Sequence, residues 1–243
     1  MNRITNKLTE IRSSNQQVTQ KLLFYLGIYG LLFIIYLNYI RNPFTTDVYF
    51  DYYRSNETAF QHHLGLGRFL LAAISFFINF AKHKELEYFL TIFFLAVSFY
   101  VSWVCLNTVV IAIARAECTS LNPFRKLLYL LALSGLYVNP MYCDWFPFDE
   151  APVFALGTSI SSFCSFLFLQ SYLRGDLFSI KNICKIGSLL LLSSGCYQVT
   201  TEFFVLQSVF LISMLSAFSE QNNKENLKKW FRSILIIVLL YLF

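Results

Sequence analysis

The sequence predicts an all-α, polytopic integral membrane protein, and three observations carry that prediction. The 243 residues are 56% hydrophobic and only 14% charged, whereas soluble domains average about 25% charged residues. The mean hydropathy is +0.54. Uncharged runs of the roughly 17–25 residues that cross a bilayer cover Leu22–Ile40, Tyr88–Ala114 and Val153–Leu173. Because lipid offers no hydrogen-bond partner to an open backbone, such runs must be helices.

The chain begins with a polar arm, residues 1–21, which precedes the predicted transmembrane domain of residues 22–243. Four cations stand in this arm against the single acid Glu10: Arg3, Lys7, Arg12 and Lys21. Cationic flanks favour the cytoplasmic side, so we expect a cytoplasmic N-terminus. A cleaved signal peptide is the alternative, but the polar head and the apolar run are both long, and no small-residue cleavage site follows.

The topology of residues 68–138 has two solutions, which differ in the role of Phe69–Ala81. This run is about half the length of a comfortable span, so it is either a short span or a helix at the membrane interface. A crossing makes Lys82 and Lys84 cytoplasmic, whereas an interface helix makes the cations of Arg115–Lys126 cytoplasmic. The count of cations favours the interface alternative. It also places an acidic loop, residues 139–152, on the outer side.

The C-terminal third predicts further helices. Ile183–Phe218 is too long for one span, and its polar centre Gly195–Glu202 indicates two short helices that meet near the outer surface. A re-entrant element is expected at Leu127–Val138. The chain ends within the apolar run Ile234–Phe243, so we expect the front half of a longer protein or a truncated one. In total, about six to eight membrane helices are predicted.

No cofactor and no nucleic-acid partner is predicted. The six cysteines form no C-x-x-C pair, and cysteines within apolar runs behave as small hydrophobes. The neighbouring His62 and His63 do not project together on a helix, and no third residue has ligand spacing, so a polar interfacial pair is favoured over a metal site. A divalent metal is the one cofactor that the sequence leaves open. The chain also lacks the basic stripe that a nucleic-acid surface requires.

Three polar clusters interrupt the apolar scaffold, and in the interface topology all three reach the non-cytoplasmic face. Polar residues at membrane depth are costly and indicate function. The first cluster lies in an outer loop predicted for residues 41–68, the second in the outer acidic loop and the third in the centre of the C-terminal helix pair. They comprise Asp47, Asp51, Arg54, Glu57, His62, His63 and Arg68; Asn139, Asp144, Asp149 and Glu150; and Tyr197, Gln198, Thr200, Thr201 and Glu202.

The first cluster combines the residue types that sugar transfer from a phosphate requires. If the segment is helical, Asp47, Asp51 and Arg54 share one face. A carboxylate can take the proton of an attacking hydroxyl, and the planar fork of arginine suits a departing phosphate. The alternative is a solvated loop with local ion pairs, and the residue types alone leave both readings open.

Four sequence elements in order resemble the bacterial O-antigen glucosyltransferases of the Gtr type-II family. That family shows Asp-Asp-x-x-Arg in the first outer loop, followed by Gly-Arg before an apolar helix. It then shows an Asn/Ala-Pro with acidic and aromatic residues, and a Tyr-Gln within a membrane helix. Here Asp51 and Arg54 match the first element, with Phe50 at the position of its first acid. The other matches are Gly67-Arg68, Asn139-Pro140 with Asp144–Asp149, and Tyr197-Gln198.

The resemblance implies a GT-C-like bundle of membrane helices that transfers a hexose, with glucose as the expected sugar. The donor would be a polyprenyl-phosphate-sugar, and the acceptor a lipid-linked or surface polysaccharide outside the bacterial inner membrane. A flippase is an expected partner. Asp51 would be the catalytic base, Arg54 and Arg68 would hold the lipid phosphate, and Tyr197 and Gln198 would line the cavity.

Position and charge add further candidates to those that the resemblance implies. Asp47, one helical turn before Asp51, is the alternative base, while Glu57, Asp149 and Glu202 are predicted substrate-binding residues. The competing hypotheses are an inactive truncated copy or a non-enzymatic membrane protein, such as a lipid-sugar translocator or an assembly subunit. A translocator typically shows inverted repeats with matched broken helices, and none is obvious in this sequence.

Overall fold

The structure, a computed structural model, is all-α in the residues it describes, which are 2–37, 55–78, 83–116, 150–217 and 223–242. The prediction of an all-α protein is therefore confirmed for these ranges. They contain eight helices: α1 (Asn2–Ile35), α2 (Asn56–Gly65), α3 (Phe69–Phe77), α4 (Lys84–Ala116), α5 (Ala151–Arg174), α6 (Ile180–Cys196), α7 (Thr200–Ala217) and α8 (Asn223–Leu242).

Three of these helices are long and apolar enough to cross a membrane: Lys84–Ile113 within α4, all of α5 and all of α7. The shorter apolar segment Thr19–Ile35 lies within α1. This agrees with an α-helical membrane protein. The count of about six to eight spans and the GT-C architecture remain predictions.

Helix α5 lies at the centre of the bundle, and its boundaries follow from its sequence. Pro152 stands in its first turn, where a missing N–H costs no hydrogen bond. Gly175 ends it with φ of 79°, a left-handed conformation that glycine adopts without strain. Between them, most positions of α5 are buried against neighbouring helices. Helices α4, α6 and α7 all pack against α5.

Two neighbours, α4 and α7, run parallel to α5; for α7, Gly157 of α5 lies beside Thr200 and Ser165 lies beside Ser208. Ser159 donates to the carbonyl of Phe94, and one turn later Ser162 Oγ lies 2.6 Å from Ser98 Oγ. Helix α6 is antiparallel to α5, since Ser161 Oγ lies 2.8 Å from the hydroxyl of Ser193 in the last turn of α6. Small polar residues of this kind let membrane helices approach closely and hydrogen-bond to one another.

Helix α1 is antiparallel to α4, because Tyr88 donates to the carbonyl of Phe33 while Tyr25 lies against Phe93. The helix is continuous through residue 21, so the predicted polar arm and first apolar segment form one element. Helix α8 begins beside the last turn of α5, where Lys229 Nζ is 4.2 Å from the Tyr172 ring centroid.

The bundle consequently has two ends. The site end contains the last turn of α1, the first turns of α4 and α5, and the α6–α7 junction. The cationic end contains the last turn of α5 and the first turns of α6 and α8. Among the side chains that the structure describes, six exposed cations stand at the cationic end: Arg174, Lys181, Lys185, Lys228, Lys229 and Arg232.

The short helices α2 and α3 form a hairpin at the site end. Helix α2 occupies part of the segment predicted as a loop. Its N-cap is Ser55, whose hydroxyl accepts from the backbone N–H of Thr58. Helix α3 has nine residues, about 14 Å at 1.5 Å per residue, against a bilayer core of about 30 Å. Because α1 ends and α4 begins at this same end, the geometry favours the interface alternative for α3.

Candidate functional site

Two turns from distant parts of the sequence meet at the site end. The first is Leu66–Arg68, between α2 and α3, where Gly67 adopts φ of 76° and so permits a tight turn. The second is Tyr197–Val199, between α6 and α7. Gln198 Nε2 donates to the carbonyl oxygen of Leu66 at 2.8 Å. This hydrogen bond joins two of the elements that the sequence analysis singled out.

Arg68 lies at the centre of this junction. Its guanidinium carbon is 4.4 Å from the centroid of the Tyr197 ring, a cation–π distance. Tyr197 also stacks on Phe154 of α5, with 4.4 Å between ring centroids and 30° between planes. Arg68 Nη1 forms an ion pair with Glu150 Oε2 at 3.3 Å. The guanidinium is therefore held by an aromatic face and by a carboxylate.

Glu150 bridges Arg68 and His63. Its Oε1 lies 3.2 Å from His63 Nε2, while its Oε2 faces Arg68. The side chains of Glu150 and Arg68 are 15% and 19% exposed, and that of His63 is 4% exposed. Removing one partner from such a shielded ion pair leaves the other charge uncompensated, which is strongly destabilising. The bridge fastens the α2–α3 hairpin to the start of α5.

A second ion pair lies in the first turn of α4. Lys84 Nζ is 2.6 Å from Glu87 Oε2, and Glu87 is 4% exposed. The pairing of Phe94 with Ser159 sets an offset of 65 residues between the parallel helices. By that register Glu87 is level with the first turn of α5. The buried carboxylate of Glu87 therefore lies near the level of Glu150 along the bundle axis.

Of the predicted site residues, the structure brings together Arg68, Tyr197 and Gln198. Glu57 and Glu202 are exposed, and they lie in the first turns of α2 and α7. Four predicted residues lie outside the described residues, namely Asp47, Asp51, Arg54 and Asp149. Their assignment to catalysis or substrate binding stays a prediction.

Sequence reasoning missed the roles of Glu150 and His63 at the junction. The sequence places Glu150 in the acidic loop but favours Asp149 as the substrate-binding acid. The available signal was its place immediately before the apolar run of α5, where a helix N-terminus favours a negative charge. The sequence presents His62 and His63 as one polar pair, yet His62 is exposed while His63 is buried against Glu150.

The buried ion pair of α4 was also missed, and its signal was Lys84 and Glu87 at a spacing of three. In the part of the chain that the structure describes, His, Cys, Asp and Glu side chains form no group of three suited to a metal. Comparison of the chain with protein-family models, curated proteins and solved structures finds no match.

Proposed function

We propose that the protein is a membrane glycosyltransferase that moves a hexose, with glucose as the expected sugar, from a polyprenyl-phosphate-sugar to a polysaccharide acceptor. One observation carries the proposal. The guanidinium of Arg68 is half-buried at the end of a membrane bundle, 4.4 Å from the Tyr197 ring. Arginine in a shielded site binds phosphate oxygens strongly through its planar fork.

Convergence of separate sequence elements supports the same proposal. The Gly67-Arg68 turn and the Tyr197-Gln198 turn are 130 positions apart in the sequence, yet Gln198 Nε2 donates to the carbonyl of Leu66 beside them. These are two of the four elements on which the family resemblance rests. A site assembled from distant turns of a rigid bundle is a typical way to position reacting groups.

The reaction that this proposal entails is an inverting displacement. The acceptor hydroxyl attacks the anomeric carbon, and its proton passes to Asp51, with Asp47 as the alternative base. The bond between the anomeric carbon and the phosphate oxygen breaks, and its electron pair leaves with the polyprenyl phosphate. The departing group gains one negative charge, which Arg68 and Arg54 stabilise.

The two ends of the bundle support an orientation in the bacterial inner membrane. The described residues 174–185 and 227–232 carry six cations against the single acid Asp176. Positively charged flanks face the cytoplasm. The cationic end and the N-terminus are therefore proposed to be cytoplasmic, and the site end is proposed to face outward. A flippase would then supply the donor to the outer face.

The test is sugar transfer by the purified protein, with a polyprenyl-phosphate-glucose donor and a lipid-linked polysaccharide acceptor. Arg68→Ala is expected to lower the transfer rate by about a hundredfold or more, because it removes a donor to developing charge. Asp51→Asn is expected to abolish transfer. Arg232→Ala, at the cationic end, is the matched control and is expected to leave the rate unchanged.

Two results would contradict the proposal. Wild-type transfer by Asp51→Asn would remove the base assignment, and wild-type transfer by Arg68→Ala would remove the phosphate assignment. A wild-type protein that binds the lipid donor without any turnover would instead support the non-enzymatic alternative, a lipid-sugar translocator or assembly subunit.

A further inference from the structure

We propose that Glu150 is a positioning residue with two opposed effects: it fixes the guanidinium of Arg68 for turnover, and it weakens phosphate binding at that guanidinium. The inference rests on the proposed role of Arg68 as a ligand of the donor's phosphate. It assigns a role to a residue that neither the sequence motifs nor the family resemblance selects.

The positioning effect follows from how Arg68 is held. Its Nη1 is 3.3 Å from Glu150 Oε2, and its guanidinium carbon is 4.4 Å from the Tyr197 ring centroid. One N–H edge and one face of the plane are thus fixed, so rotation of the group is restricted. Arg68 Nε is buried and has no hydrogen-bond partner among the described residues. The group presents its remaining donors in one orientation, as a phosphate ligand requires.

Glu150 is better suited to orienting Arg68 than to taking a proton. Both of its oxygens are engaged, Oε1 by His63 at 3.2 Å and Oε2 by Arg68 at 3.3 Å. His63 is only 3% exposed. It therefore holds Oε1 from inside the protein and keeps the carboxylate directed at Arg68.

The opposing effect follows from charge. A phosphate that binds Arg68 would lie close to the carboxylate of Glu150, and two negative charges at that range in a shielded site repel each other. Removing the charge of Glu150 while keeping its shape should therefore tighten phosphate binding. It should also slow transfer, because a neutral amide holds the guanidinium less firmly. A residue with a merely structural role would weaken binding and transfer together.

The experiment uses the full chain in lipid nanodiscs and the probe farnesyl phosphate, an isoprenoid monophosphate, with farnesol as the uncharged control. For Glu150→Gln, we expect the Kd of farnesyl phosphate to fall about fivefold and kcat for sugar transfer to fall about tenfold or more. Glu85→Gln is the matched control, since it removes an exposed acid from the first turn of α4 at the same end. Its Kd and kcat are expected to stay at the wild-type values.

Glu150→Asp is the second variant, because it keeps the negative charge but is too short to bridge both partners. It is expected to lower kcat without tightening farnesyl phosphate binding. Weaker binding by Glu150→Gln, or a tighter Kd for Glu150→Asp, would overturn the inference. If Glu150→Gln binds farnesyl phosphate more tightly but the wild type transfers no sugar, the repulsion between Glu150 and the phosphate would be supported. The transferase proposal would then be contradicted. Equal binding of farnesyl phosphate and farnesol by the wild type would overturn both.

Discussion

The two ends of the bundle differ in how far their charged side chains are shielded from solvent. At the site end, Arg68 and Lys84 are paired with Glu150 and Glu87, and all four side chains are 22% exposed or less. At the cationic end, Lys181, Lys228 and their neighbours are largely exposed. Within the described ranges, a cation lies over a tyrosine ring at either end, Arg68 over Tyr197 and Lys229 over Tyr172.

This contrast separates two uses of the same residue types. Shielded, paired charges are expensive to desolvate and depend on exact partners, so they suit a site that must hold one geometry. Exposed cations at a membrane surface need no partner within the protein and suit orientation in the bilayer. A cation–π contact alone therefore does not identify a site. Among the side chains that the structure describes, the shared carboxylate distinguishes Arg68 from Lys229.

The largest expected effect is a difference in maleimide labelling between the two ends of the bundle. It tests on which side of the membrane each end lies. Cys184 is exposed near the start of α6 at the cationic end, and Glu202 is exposed at the site end. In a background with Cys118 and Cys143 replaced by serine, an impermeant maleimide should label Glu202→Cys in spheroplasts. Cys184 should react only after the membrane is opened. Labelling of Cys184 in intact spheroplasts would reverse the proposed orientation.

A smaller effect is expected from packing at the site end. A Cβ added at Gly195 would collide with the Phe69 ring, next to Arg68, whereas a Cβ at Gly187 meets Leu240 at 3.6 Å, an ordinary contact. Gly195→Ala should lower the free energy of unfolding by about 1–3 kcal/mol, and Gly187→Ala should not lower it. Thermal unfolding in detergent measures both. Combining Gly195→Ala with Phe69→Ala should recover part of the loss, and a purely additive double mutant would contradict the contact.

The smallest effect is expected at the cation–π contact of the cationic end. Lys229→Met should lower the free energy of unfolding by about 0.5–1 kcal/mol, the usual worth of an exposed cation–π pair, and should leave sugar transfer unchanged. Lys228→Met, one residue earlier and also exposed, is the matched control. Loss of transfer in Lys229→Met would show that the cationic end contributes to function and would weaken the contrast between the ends.

Much of the bundle could be predicted from the sequence, because hydropathy and the need to satisfy the backbone in lipid act on whole segments. The break between α6 and α7 was predictable from its polar residues, and Arg68 from its turn with Gly67. The side-chain pairings at the site end could not be predicted in this way. Nothing local to Glu150 indicates whether it or Asp149 faces Arg68, since that depends on how α5 rotates against the α2–α3 hairpin. The burial of His63 but not His62 depends on the same docking.

The hydroxyls of α5 have a consequence for how the protein enters the membrane during synthesis. Thr158, Ser162 and Ser165 each donate to the carbonyl four residues earlier in α5. A serine or threonine that bonds within its own helix exposes no unsatisfied donor to lipid. Helix α5 can therefore partition into the bilayer before α6 and α7 have been translated. As α7 packs against α5, the Ser165 hydroxyl shares its bond with that helix, where it also donates to the carbonyl of Phe204 and accepts from Ser208.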